Sequence, residues 1–159
     1  MKKKILTEKI TNWEHWPTFM FYVPNIPFAI YLAIKAKHTV FFSAVNPAIK
    51  SSGSGVESKY ETIQLVPDQY KPKSILIAPN TEFLIVLDKL KQENILFPLI
   101  AKPDIGFRGL LVKKIASEKE LASYLRDYKI DVLIQEFLDY KNECGIFYHR
   151  NPNDTSGSI

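Results

Sequence analysis

Lys102 closes the apolar run Phe97-Pro-Leu-Ile-Ala-Lys102 and stands directly before Pro103. An ammonium whose stem lies among apolar residues is costly to place unless an anion meets it. Lysine offers a compact charge with rotatable donors, which suits phosphate oxygens. The turn that follows holds Gly106, Arg108 and Gly109, and can present backbone N–H groups and a guanidinium to the same anion. The plainer use of these residues is an ion pair between Lys102 and Asp104 at a sheet edge. A second group, Gln135-Glu136-Phe137-Leu138, ends another apolar run. Its backbone can meet the edge of a flat base, with Phe137 and Leu138 as apolar walls. Glu143 lies five positions beyond Leu138, where a carboxylate can bind sugar hydroxyls or simply face solvent.

These groups need a scaffold, and residues 71–150 read as an alternation of strands and helices. Strands are expected at Ser74–Ala78, Phe97–Lys102, Leu110–Ile115 and Asp131–Leu138, with Glu143–Arg150 as a hairpin partner of the last. A helix capped by Asn80 or Thr81 should run to Gln92, with Phe83, Leu84, Leu87 and Leu90 on one face. Ser117-Glu-Lys-Glu120 has capping-box spacing and opens a second helix carrying Leu121, Tyr124 and Leu125. The expected class is α+β, with helices on a mainly antiparallel sheet. Residues 1–70 read as an aromatic-rich helical or αβ region, and residues 151–159 as a polar tail. Within the first region, Pro27 can open a helix Phe28–Lys37, Val40–Val45 has strand character, Ser51–Gly55 has linker composition, and Glu57–Leu65 reads as a short helix.

Composition excludes several classes. Hydrophobic residues are 46% and charged residues 24% of the 159, which argues against disorder. One cysteine, Cys144, excludes an internal disulfide framework and fits a reducing, cytoplasmic setting. The three histidines are too scattered for a metal site. The net charge of +4 is dispersed, without the concentrated basic and aromatic stripe of a nucleic-acid binder. Pro24, Asn25 and Pro27 interrupt the apolar run Phe19 to Ile34 as a spanning helix, and the segment from Trp13 to Ile34 reads first as a helix buried against the sheet, with a membrane surface or a partner as its alternative contact. The glycine turn is neither a Walker loop, lacking Gly-Lys-Ser/Thr, nor a dinucleotide fingerprint, since a strand follows it.

The order of these motifs resembles the ATP-grasp superfamily, which includes D-alanine–D-alanine ligase and biotin carboxylase. The resemblance is strongest over Phe97 to Tyr148 and reaches back to about Glu57. It implies that ATP is the nucleotide. Phe97–Gly109 is similar to the family's second-lysine strand and phosphate loop, and Val132–Leu138 to its adenine hinge. Lys102 would then reach the nucleotide phosphates, and Lys59 in Glu57-Ser-Lys-Tyr60 would be the earlier lysine. Gly106 and Gly109 would belong to the closing loop, with Arg108 inside it. Gln135, Glu136, Phe137 and Leu138 would form the hinge, and Glu143 would bind the ribose. The implied reaction is ATP-dependent ligation of an unknown carboxylate, through an acyl phosphate, to an amine or other nucleophile. The family's magnesium carboxylates lie after the hinge, on a second subdomain with a Glu-x-Asn motif, and none follows here. The reading is therefore of the front portion of a longer ligase, inactive alone and prone to self-association through its uncovered face. The alternative is a non-catalytic interaction module of ATP-grasp-like shape.

Overall fold

The computed structural model describes residues 16, 19–53, 57–106, 109–151 and 153–159. The chain divides into two compact units, residues 1–54 and 55–159.

The first unit is helical. A turn of helix, α1 (Phe19–Tyr22), leads through a 3-10 turn (Val23–Asn25) into α2 (Ile26–Ala36). Pro27 sits in the first turn of α2, where a missing N–H costs nothing. Lys37 adopts the left-handed conformation that ends it, with φ of 52°. The strand expected at Val40–Val45 is instead a 3-10 helix at Phe41–Ala44. Local bonds replace a strand ladder there: the Ser43 hydroxyl donates to the Val40 carbonyl, and that of Ser52 to the Phe42 carbonyl. A further 3-10 turn covers Lys50–Gly53.

The second unit begins with α3 (Lys59–Gln64), capped by Ser58, and continues with β1 (Ser74–Ile77), α4 (Phe83–Gln92), β2 (Leu99–Pro103), β3 (Lys113–Ile115), α5 (Glu118–Asp127) and β4 (Val132–Glu136). The class is α+β, with a four-stranded antiparallel sheet in the order β1-β4-β2-β3. Two β–α–β units interlock, so that β4 lies between β1 and β2. That position explains a correction: Glu143–Arg150 is not a strand, because both edges of β4 are already paired and no hairpin partner fits. His149 bridges to Ser158 instead. β3 is shorter than the expected Leu110–Ile115, since Gly109 and Leu111 both take positive φ in the turn before it. The cap of α4 also differs: Glu82 occupies it without a side-chain bond, while the Thr81 hydroxyl donates to the Ala78 carbonyl. The capping box of α5 holds, with Ser117 accepting from the Glu120 N–H.

Strand alternation divides the sheet into two faces. Ile75, Ile77, Leu99, Ala101, Ile115, Val132 and Ile134 pack under Val86 and Leu90 of α4 and Leu121 and Tyr124 of α5. The other face carries Ser74, Leu76, Ile100, Lys102, Lys114, Leu133 and Gln135. Tyr124 ties the two regions together. Its buried hydroxyl donates to the Leu111 carbonyl at 2.8 Å, in the turn after the glycines. Burial, and then the neighbouring Tyr128, push this phenol up to about 12. The neutral phenol therefore supports the fold below its ordinary value of 10.0, and that support is lost as pH rises toward 12. Tyr124→Phe is expected to lower stability by about 1 kcal/mol and to remove this alkaline loss, read by urea unfolding at several pH values.

Candidate functional site

The face of the sheet turned away from α4 and α5 collects the polar groups. Antiparallel register sets Lys102 opposite Leu133 and Ile100 opposite Gln135, so Lys102 and Gln135 are diagonal neighbours on one face. The half-buried Lys102 Nζ donates to Gln135 Oε1 at 2.8 Å. Gln135, itself buried, donates from Nε2 to Ser74 Oγ at 3.1 Å. A polar row thus crosses β2, β4 and β1. The expected alternative, Lys102 paired with Asp104, is not what forms. The buried Asp104 carboxylate accepts from the Tyr60 N–H at 2.8 Å and caps the first turn of α3.

Lys59 approaches the same loop from the other side. Its Nζ donates to the carbonyls of Pro103 at 3.2 Å, Asp104 at 2.8 Å and Gly106 at 3.3 Å. All three ammonium protons are therefore taken. A Cβ on Gly106 would stand 3.3 Å from that of Pro103, which keeps the loop this close. Gly109 has φ of +76°, open to glycine at little cost.

The two lysines feel each other. Burial first, and then the charge of Lys59, hold the Lys102 ammonium below the usual lysine range. Among the described residues neither lysine has a carboxylate within ion-pair distance; the two ion pairs present are Lys71 with Asp68 and Arg126 with Asp127. Two positive charges satisfied only by neutral oxygens leave an electropositive region beside Gly106, which can accept an anion.

The residues expected to form a hinge divide. Gln135 is in the polar row. The Glu136 carboxylate accepts from the Lys73 N–H at 2.8 Å, and its own N–H donates to the Lys73 carbonyl at 3.0 Å. Those two groups tie β4 to the start of β1. The ring of Phe137 lies under Lys114 Nζ, 3.6 Å from its centroid. Lys114 was not legible as a site residue beside Lys113, although β-alternation sends the two to opposite faces. Leu138 is exposed. Glu143 is exposed in the irregular stretch after β4, and makes no hydrogen bond or ion pair to these groups among the described residues. Arg108 lies outside the described residues, as do Trp13 and the basic Lys2 to Lys4. Ser74, which completes the polar row, carried no sequence signal beyond its place at a strand end, and Asp104, expected beside Lys102, anchors the loop to α3 instead.

No family model, no curated protein and no solved structure matches this chain. Among the described residues no three His, Cys, Asp or Glu side chains converge as a metal site.

Proposed function

We propose that residues 55–159 hold ATP as the small nucleotide-binding subdomain of an ATP-grasp carboxylate–amine ligase. One observation carries this reading: Lys102 and Lys59 bring two charges, unopposed by any described carboxylate, close to each other and to Gly106. Lys102 reaches the phosphates directly. Lys59 acts on them through its charge while bracing the loop by its carbonyls. The ring of Phe137 and the backbone beyond Glu136 are the wall and edge for the base, and Glu143 is the acid for the sugar hydroxyls. ATP supplies the phosphoryl group that activates the carboxylate as an acyl phosphate. The reading draws no magnesium ligand from the described residues, and takes that chemistry, like the opposing wall of the site, from a second subdomain.

The test is titration of the chain with ATP, with and without magnesium, followed by calorimetry and by amide NMR shifts. A half-clamp keeps much of the entropy cost of association and lacks the second wall's contacts. The expected dissociation constant is near millimolar, about −4 kcal/mol. Shifts should centre on Ile100, Lys102 and Gln135. Because the Lys102 ammonium is already held below its ordinary 10.5, affinity should fall as pH rises toward that value. Lys102→Arg, which keeps its charge, should move the fall to higher pH. An absence of localised shifts at millimolar ATP would overturn the nucleotide reading in favour of the interaction module.

A further inference from the structure

The first unit, which the nucleotide site does not use, has an unusual surface. Phe19–Ala36 is apolar, with mean hydropathy 1.3 over 18 residues, and none of it is buried. Tyr22, Phe28, Ile30 and Ile34 are 67%, 61%, 55% and 73% exposed. Ile26, Ile30 and Ile34 recur four residues apart and so line one side of α2. Behind α2 the chain returns, and Phe41 and Phe42 complete an open apolar groove of about 710 Å³ with Ile26, Ile30 and Ile34. The result is a wedge of helix and return turn rather than a single rod.

Two independent observations say what covers it. The first is charge. No Asp or Glu occurs between Glu14 and Glu57, whereas Lys35, Lys37 and Lys50 do, with His38 beside them. A stretch without acids, with Lys35 and Lys37 at the end of α2 and Lys50 beyond it, complements an anionic plane. The second is the backbone. Prolines at 24 and 27 remove helical donors, yet the interrupted turns close on themselves. Asn25 Nδ2 donates to the Phe21 carbonyl at 2.8 Å, and the Ile26 N–H donates to the Val23 carbonyl. At the far end the Lys37 and His38 N–H groups return to the Ala33 and Ile34 carbonyls. Polar backbone tied internally is what an apolar medium demands.

We infer that the Phe19–Phe42 segment is a membrane-docking wedge that lies in the surface of an anionic bilayer. Lys35, Lys37 and Lys50 meet lipid phosphates, while Ile30, Ile34 and Phe42 enter the acyl boundary. The Tyr22 and Tyr31 hydroxyls and the Asn25 amide sit part-way along the helix, which favours lying at headgroup level over crossing the bilayer.

The test is flotation of the full 159-residue chain with vesicles of phosphatidylcholine containing 30% phosphatidylglycerol, against phosphatidylcholine alone. The chain should float with the anionic vesicles and at least fivefold less with neutral ones or at high salt. Emission from the only two tryptophans, Trp13 and Trp16, should shift to the blue on binding. Alkaline carbonate should release the chain. Ile30→Asp with Ile34→Asp should cut binding at least tenfold, and Lys35→Glu should remove the preference for anionic lipid. Leu96→Asp, on an exposed residue of the second unit, should change nothing. Binding that survives the double Asp variant would overturn the inference. So would retention after carbonate, or a discrete oligomer that ignores vesicles, which would mean that a second copy covers the wedge. These readouts do not involve nucleotide, so they stand or fall apart from the ATP reading.

Discussion

Lys102→Ala is expected to weaken ATP binding by at least tenfold, so that NMR shifts no longer approach saturation at millimolar nucleotide. A charge-assisted hydrogen bond is worth roughly 1.5–3 kcal/mol, which spans about one to two decades in affinity. The substitution also strips Gln135 Oε1 of its donor, and Gln135 is buried. Some loss of stability, on the order of 1 kcal/mol, should accompany it. Lys102→Arg separates the two effects, because it keeps a cation at the end of β2. The right control is Lys119→Ala, an exposed lysine on α5, which should leave binding unchanged. Lys114 does not serve as that control. It shares a sheet face with Lys102 and stacks on Phe137, so Lys114→Ala should give an intermediate loss. Equal losses from Lys102→Ala and Lys119→Ala would show a diffuse electrostatic effect and no site.

Ile134→Ala should be the most damaging single truncation in the second unit. Ile134 is fully buried on β4, paired with Ile75 on one side and Ala101 on the other. Removing a buried isoleucine side chain to Cβ costs about 2–5 kcal/mol, the upper values applying where neighbours cannot close the cavity. A central strand held on both edges is such a place. With total stabilities of roughly 5–15 kcal/mol, the change removes a large share of what the unit has. Leu84→Ala, on the exposed side of α4 at 65% accessibility, should stay within about 0.5 kcal/mol. Urea unfolding followed by the amide signals of β4 checks both. Comparable effects of the two changes would mean that the core is not where the sheet and helices place it.

Periodicity and capping carried the coarse architecture from sequence alone. Alternation in Ser74–Ile77 and Leu99–Pro103 reads directly as half-covered strands, and Ser117 with Glu120 marks the start of α5, since these signals act within a few residues. The glycine turn and the lysine at the end of β2 were legible for the same local reason. Signals that depend on distant partners were not. Val40–Val45 has the residue types of a strand, but bonds such as those from Ser43 and Ser52 hold Phe41–Ala44 in a 3-10 helix. Glu143–Arg150 has hairpin residues, but β4 had no edge left to offer. The site itself belongs to this second kind. Lys102 meets Gln135 across 33 residues, and Lys59 meets the loop carbonyls across 44 to 47. Each residue type was visible in the chain. Lys102 and Gln135 converge because β4 inserts between β1 and β2 and antiparallel register sets which side chains share a face, whereas Lys59 is placed by the bonds of α3 to the loop after β2.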